Sequence, residues 1–454
     1  MKVIKEILTS KNVRYGYILL LCFTLFASVL VFTACAEPRE NPMPEYSMNS
    51  ATATEKEYVT NCEYQTEQEP AVLPDIIRRN VLSVSGSHSA AILSDGSLWV
   101  WGFNRQGLLG GTNRYKPMQI GTGTDWVSVA AGSGFTLALK NDGSLWSWGG
   151  NRFGRLGDGT TEDRFTPMQI GVDGEWVYIS AGNLHAAAIR TDGSLWTWGR
   201  NTDGQLGDAT TINRYMPVRV GTDTDWVSVA AGSSHTKALK SDGSLWVWGL
   251  NRGEFGDGVE IDPMLAFHPQ TTPIQIGADT DWVSVAVGLA HTLAIKEDGS
   301  LWAWGWNWFG QLGDSTTEVR FAPVQVGTDT DWAIVAAGAN FSLATKEDGS
   351  LWAWGDNQLW RLGFCENALS KTQTLVPLFF DPRFLTPVIL TPTQIGADTN
   401  WVSVAAFDHV VAVRADGSIW HWGLGGREGI YGLLGDNTTG VISNPARIMI
   451  ACEE

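Results

Sequence analysis

Hydrophobic positions in this chain fall into short blocks of five to seven residues. Each block alternates or runs apolar and then stops at Gly or Asp-Gly. The unit from Asp281 to Gly327 shows the pattern: Trp282 to Gly288, then His291 to Lys296, then an Asp-Gly turn into Leu301 to Gly305, and finally Pro323 to Gly327. Blocks of this length, rich in Val, Ile, Leu and Trp and bounded by turn residues, predict strands rather than helices. Asp-Gly between two such blocks predicts a tight hairpin, because the turn needs positive φ and Gly reaches it without steric cost. The last block opens with Pro, which cannot donate a ladder hydrogen bond, so it predicts an outer edge strand.

The unit recurs. The phrase Asp-Gly-Ser-(Leu/Ile)-Trp-x-Trp-Gly starts at Asp95, Asp142, Asp192, Asp242, Asp298, Asp348 and Asp416. A fixed phrase at a period near 50 residues marks stacked copies of one supersecondary unit, and four short antiparallel strands make one propeller blade. The predicted fold is therefore all-β: a seven-bladed β-propeller of four-stranded antiparallel blades. In Trp-x-Trp both indoles project from one face of the strand, so each pair is expected to fill the gap between adjacent blades. The Ala-x-Gly segments, such as Ala230 to Gly232, are expected near the axis, where space is short. Of the 23 Trp, fourteen lie in these pairs and six open a first strand, at Trp126, Trp176, Trp226, Trp282, Trp332 and Trp401. That leaves Trp306, Trp308 and Trp360.

Spacings between successive Asp-Gly starts are 47, 50, 50, 56, 50 and 68, which places two insertions, near 259–270 and over 364–390. Ring closure has two possible registers. Val81 to Gly86 can open the first unit and Pro445 to Ile448 close the last, or the stretch from Pro74 can serve as an outer strand.

The front of the chain is a different object. Lys2, Lys5, Lys11 and Arg14 form a basic start, residues 17–34 carry no charge, and Phe32-Thr33-Ala34-Cys35 follows. This layout predicts a secretory signal over residues 1–34. The small residues before Cys35 resemble a bacterial lipobox, which implies lipidation of Cys35; Phe32 departs from the usual Leu. An uncleaved anchor is the alternative, since the apolar run is long enough to span. Both readings predict export, with the propeller outside the cytoplasmic membrane. Residues 35–75, poor in aliphatics and acidic, predict a flexible linker, and the propeller is expected over 76–452.

Removing residues 1–34 moves the formal charge from −17 to −20. So acidic a protein is a poor candidate for nucleic acid or anionic lipid surfaces, and no nucleic-acid partner is expected. With Cys22 in the signal and Cys35 as the lipid site, Cys62, Cys365 and Cys452 remain. An odd set cannot form a complete disulfide framework. Cys62 and Cys452 flank the two ends of the ring, so either a bridge between them or free thiols fits.

Catalytic chemistry was sought by subtracting what repeats. His88, His185, His235, His291 and His409 share one register, where Phe135 and Phe341 stand in the other two units. A place where His and Phe interchange reads as packing. Neither His268 nor His421 has a partner at metal-ligand spacing. The Asp of Leu-Gly-Asp, as at Asp158, Asp208 and Asp314, recurs and is expected to bond loop amides. No nucleophile-elbow, metalloprotease, Walker or calcium-loop motif occurs. The expectation is no enzyme, no cofactor and no metal, with a propeller-channel enzyme site as one alternative.

One loop survives the subtraction: variants of Asn-x-x-Gly-x-Leu-Gly after each Trp-Gly. Its frame repeats and its middle varies. Trp306, Trp308, Trp360, Phe309, Phe153 and Phe103 all lie in or beside it. Large aromatics on rigid loops are common interface anchors, so these six are the candidate partner-binding residues; the competing reading folds them over the blade edge.

The phrases Ala-Ala-Gly-x-x-His, Asp-Gly-Ser-Leu-Trp-x-Trp-Gly and Asn201 to Gly207 together resemble the regulator of chromosome condensation repeat family, over residues from about 80 to 450. The resemblance implies a seven-bladed propeller. It also implies, as an alternative function, guanine-nucleotide exchange like that of the family's eukaryotic founder, although the motifs seen here do not carry that activity. Exported bacterial members are closer in setting, and include an inhibitor of β-lactamase that uses aromatic-rich loops. The reading reached is a monomeric exported propeller, lipid-anchored at the cell surface, that binds an unknown protein or extracellular ligand.

Overall fold

The computed structural model describes residues 81–103, 114–172, 174–261, 269–364, 374–378, 381–427, 430–436 and 440–450. Cys35, Cys62, Cys365, Cys452, His268 and the stretch from Pro74 lie outside the described residues, as do the signal and linker. Among the described residues no helix is long and apolar enough to cross a membrane.

Among the described residues seven of the eight sheets are antiparallel blades that follow one another along the chain, and the eighth is a two-stranded ribbon. The fifth blade is typical, with strands Trp282–Val287, His291–Lys296, Leu301–Gly305 and Arg320–Gln325. The Asp-Gly turns join second to third strands as the pattern predicts. Each turn Asp accepts from the Ser two residues on, as in Ser244 N to Asp242 Oδ1 at 2.9 Å. The sixth blade departs from the others. Its outer strand is extended, Asp381–Gln394, and carries a fifth strand, Thr374–Leu378, on its edge. This is the 364–390 insertion.

First strands of neighbouring blades touch at all seven seams, so they line the axis and the ring is closed. The register is the first of the two expected. Leu82–Val84 opens the first blade and Val441–Arg447 ends the seventh. Among the described residues no blade is assembled from both chain ends. The closing seam is held by side chains instead: Leu82, Val84 and Ala91 pack with Val411, Ile419 and Ile448, and the indole of Trp101 donates to Leu433 O at 3.0 Å.

The Trp pairs sit between blades. Trp226, Trp246 and Trp248 of the fourth blade pack on Ile189, Leu195 and Val220 of the third. The first-strand Trp226 meets both indoles of its own blade edge-on, with centroids 6.0 and 6.1 Å apart, an arrangement that suits the ring quadrupoles. The two indoles of each pair have different polar tasks. Trp246 donates to Ser244 Oγ of its own turn at 2.8 Å, whereas Trp248 donates across the seam to Gln205 O at 2.9 Å.

Sequence reading missed a third member of this motif. Lys240 lies 4.9 Å and 4.8 Å from the Trp226 and Trp246 ring centres, and is also held by Asp223 at 2.7 Å. Lys140, Arg190, Lys296, Lys346 and Arg414 repeat the placement. A cation on the face of an indole is attracted by the ring's negative centre. The first blade has Val81 and Leu93 at the corresponding places, so the closing seam is apolar there.

Candidate functional site at the seam between blades four and five

The variable loop is built on a polar frame. In the third blade the Asn201 side chain donates to Asp208 Oδ1 at 2.9 Å and accepts from Leu206 N at 3.0 Å. Asp208 also accepts from Arg214 of the outer strand at 2.6 Å. Burial alone would raise the Asp208 carboxyl, but the bonds from Thr210 and Arg214 hold it below the usual range. Asn151–Asp158–Arg164 and Asn307–Asp314–Arg320 repeat this clamp, which bears out the expected loop-bonding role of these Asp.

The loop Gly has a specific reason. At Gly154 φ is +74°, and a Cβ there would collide with the Tyr215 ring of the next blade. The sixth blade puts Trp360 at this place, at φ +56°. A Trp in the left-handed region is strained.

Beneath the loops runs a ring of buried histidines, and it does more than pack. His88 Nε2 bonds Thr136 of the next blade at 2.8 Å, His185 bonds Thr236 at 2.9 Å, His291 bonds Ser342 at 3.0 Å, and His409 bonds Ser89 at 2.6 Å. Where Phe replaces His, the partner is lost in step: Ala186 follows Phe135 and Val410 follows Phe341. The loop residue also changes, to Arg155 and Arg361. Arg155 lies 5.3 Å over the Phe135 ring, and Arg361 bridges to Asp408 of the seventh blade at 3.3 Å. Seams are thus of two kinds, His with Ser/Thr or Phe with Arg.

The seam between blades four and five fits neither kind. It has the residues of a His seam, His235 and Thr292, yet neither ring nitrogen of His235 nor Thr292 Oγ1 has a hydrogen-bond partner among the described residues. The cause lies in three departures of the fourth blade. Its loop, Asn251 to Asp257, is one residue shorter than Asn201 to Asp208. Glu254 stands where the other units carry Gln205, Gln311, Arg155, Arg361, Leu108 or Leu433, with Oε1 3.5 Å from His235 Nδ1. Lys237 stands where Leu137, Leu293 and Leu343 stand, and donates to the carbonyls of Glu254 at 2.8 Å and Phe255 at 2.9 Å. In the third and fifth blades the matching carbonyls, Gln205 O and Gln311 O, accept from Thr236 and Ser342. Lys237 thus bonds the carbonyl that matches those acceptors, and Trp304 donates to Phe255 O at 3.0 Å where sister indoles share the matching carbonyl.

Glu254, Lys237 and His235 are all buried. Burial pushes Glu254 up to about 7 and Lys237 down to about 7, and holds His235 well below its ordinary value. Converging non-repeat acid and base groups are what an enzyme site would need, but these are sealed between blades and cannot touch a substrate. Among the described residues no group of three or more His, Cys, Asp and Glu is placed to hold a metal.

Above this cluster lie two of the candidate aromatics. Trp306 and Trp308 stack with ring centres 4.7 Å apart and planes 29° apart. The Trp306 indole donates to Arg252 O of the fourth-blade loop at 2.8 Å. A Cβ on Gly253 would lie 3.1 Å from the Phe321 ring and 3.8 Å from Trp306 Nε1, so these rings close over that loop. Phe321 also lines an open groove of about 540 Å³, together with Gly258, Glu260, Val319, Arg320, Ala322 and Val324.

All six candidate aromatics are half-buried, so they are neither free on the surface nor sealed in the core. Phe309 shares the loop of the Trp pair. Trp360 is not brought to it, since it packs against the strands of the seventh blade. Phe153 is flanked by Arg152 at 4.7 Å and Arg200 at 6.0 Å, and Phe103 stands in the first blade. Sequence reading missed Lys237 and Glu254. Their signal was available as a Lys at a place that is apolar in sister units and an acid at a loop place where no sister unit carries one, beside a one-residue deletion.

Comparison with known proteins follows from this architecture. A model of the RCC1-like domain matches residues 111–453, and one of the regulator of chromosome condensation (RCC1) repeat matches residues 82–107. No curated protein sequence matches the chain. Among solved structures, Prp20p from Saccharomyces cerevisiae is 24% identical with a TM-score of 0.67, covering 83% of this chain and 88% of that one; it is described with its binding to Gsp1p and histones. Yeast RCC1 (Prp20) bound to Kap60 is 22% identical at TM-score 0.65, covering 86% and 91%. Human WBSCR16 is 20% identical at 0.63, covering 78% and 94%. At these identities the likeness is one of fold.

Proposed function

The chain belongs to the RCC1-like propeller family, and from that premise we propose that it is an exported, lipid-anchored propeller that binds a protein partner through its loop face. The observation that carries this reading is the Trp306–Trp308 stack. It is half-exposed, fixed by a bond to the neighbouring blade, and adjoins a groove. Rigid aromatics cost little conformational entropy on binding and are frequent hot spots. That Prp20p and yeast RCC1 are described with protein partners supports a binding role for the fold.

Capture from the source cell's own extract by the propeller tests the reading. Replacing Trp306 and Trp308 by Ala should release the captured partner, weakening binding by at least about 2 kcal/mol if these are hot spots. Trp360→Gly, which installs the residue that sister loops carry, should leave capture intact. Retention of the partner by the double Ala variant would overturn the site. For export and anchoring, the motivating feature is the basic start, the apolar run and Cys35. Cys35→Ala should move the protein from the membrane fraction to the soluble exported fraction, and unchanged fractionation would count against lipidation.

The second reading is nucleotide exchange, favoured by family membership. Accelerated release of labelled GDP from a small GTPase by the purified propeller would support it over the platform.

A further inference from the structure

Blade four differs from its sisters at three connected places, and all three lie under the Trp306–Trp308 stack. We propose that the buried Glu254–Lys237–His235 cluster is a proton-operated support for the loop Asn251 to Gly258, so that gain or loss of protons in the cluster repositions the loop and the indole stack it holds.

The mechanical path is short. Lys237 grips the loop by two of its carbonyls, Glu254 O and Phe255 O. Glu254 Oε2 accepts from Arg252 N at 2.8 Å, and Arg252 O accepts from Trp306. Gly258 N donates to Phe321 O at 2.8 Å, so the far end of the loop is tied to the backbone of the residue whose ring lines the groove. These five bonds link the buried charges to the surface aromatics. The frame that stiffens sister loops is weak here. Asn251 reaches Asp257 at only 3.4 Å, and Gln270 replaces the Arg that clamps the Asp elsewhere.

The charged groups facing the cluster are few. His235 sees Lys237, Arg252, Glu254 and, from the third blade, His185. Lys237 sees Glu254 and Asp257. From the fifth blade Thr292 and Trp304 face it, and Lys237 Nζ lies 5.3 Å from the Trp304 ring centre. No solvent screens these groups, so a single proton changes the local charge balance at full strength.

The sign follows from burial. Glu254 holds its proton in the fold to about pH 7 but loses it earlier when unfolded, so its contribution to stability falls as pH rises toward 7. Lys237 loses its proton in the fold near pH 7 but keeps it when unfolded, so its contribution recovers as pH rises above 7. Together they make the support weakest near neutrality, where the populations of the protonated and deprotonated loop interchange.

Sister blades supply the control. Lys237→Leu with Glu254→Gln rebuilds an ordinary His seam and frees Thr292 to bond. Amide exchange of the 251–258 segment, read by mass spectrometry, would be compared between wild type and this double variant at pH 5.5, 7 and 9. Taking the ratio at each pH cancels the intrinsic pH dependence of exchange. The expected ratio peaks near pH 7, at about tenfold or more, since one unit of displaced pKa corresponds to a tenfold change. A ratio that stays flat across the range overturns the proposal. If the double variant does not fold, Glu254→Gln alone serves, and the ratio should then rise between pH 5.5 and 7 and level off above 7. The consequence for binding rests on the platform reading above, but the exchange experiment needs no partner. A peaked ratio with partner capture unaffected by the Trp306 and Trp308 variants would sink the platform and leave the proton coupling standing.

Discussion

Lowering the pH from 7 to 5 is expected to cost the propeller most of its stability. His88, His185, His291 and His409 are buried in the fold, and burial pushes each ring down to about 3. An unfolded histidine titrates near 6.5. The stability each contributes is fully present above that value and is lost progressively as pH falls toward 3, because the unfolded chain takes up protons that the fold refuses. At pH 5 the loss is about 2 kcal/mol per ring. Four rings together approach the whole stability of an ordinary domain, about 5–15 kcal/mol. Glu254 acts in the opposite direction over this range, but it is one group against four. Urea titrations at pH 7, 6 and 5 should show the midpoint falling steeply. His185→Phe with Gln205→Arg and Thr236→Ala converts one seam to the Phe–Arg kind and should remove about one proton from the uptake. Midpoints independent of pH between 7 and 5 would show that the rings are hydrated rather than sealed.

Removing the Arg361 side chain is expected to be the most damaging single substitution outside the Trp motif. Its guanidinium is almost fully buried, pairs with Asp356 at 3.1 Å and reaches Asp408 of the next blade at 3.3 Å. Asp356 is itself buried and would lose this ion pair. Breaking a buried pair from one side costs about 3–5 kcal/mol, because the remaining charge stays desolvated. Arg361→Ala should therefore lower the unfolding free energy by that amount in urea or thermal melts. Restoring an uncharged partner at Asp356, as Arg361→Ala with Asp356→Leu, should recover much of the loss, since Leu250 occupies the same place in the fourth blade. A single-variant loss under about 1 kcal/mol would mean that water reaches Asp356.

Much of this molecule is legible in its sequence, for a physical reason. A propeller repeats one environment seven times, so a turn Asp or an inter-blade Trp is stated seven times over. The blade count, the Asp-Gly hairpins, the outer Pro strand and the Asp208-type loop clamp all follow from that redundancy. The cations over the Trp rings were equally redundant. They were missed because a Lys two residues before Asp-Gly reads as an ordinary exposed strand end, and only the third dimension puts it on an indole. The histidines show the opposite limit. Their interchange with Phe suggests packing alone, whereas the bond to the next blade becomes visible only once His is read with Thr136 or Ser342, about 50 residues away. Glu254 and Lys237 are local exceptions. Each looks like a tolerable surface charge until the fold buries both in one seam. The aromatics were the least legible, because Trp306 and Trp360 look alike in sequence. One is stacked beside a groove and the other fills a glycine's place against the seventh blade.

Among the described residues each blade is a contiguous length of chain, and none borrows a strand from the opposite end of the molecule. Growth of such a protein therefore has a natural quantum. A recombination event that inserts or deletes about one unit leaves every backbone ladder complete, and only the packing between neighbours needs repair. That repair has two ready solutions in the two kinds of seam, so paired changes at three positions suffice to make any two blades compatible.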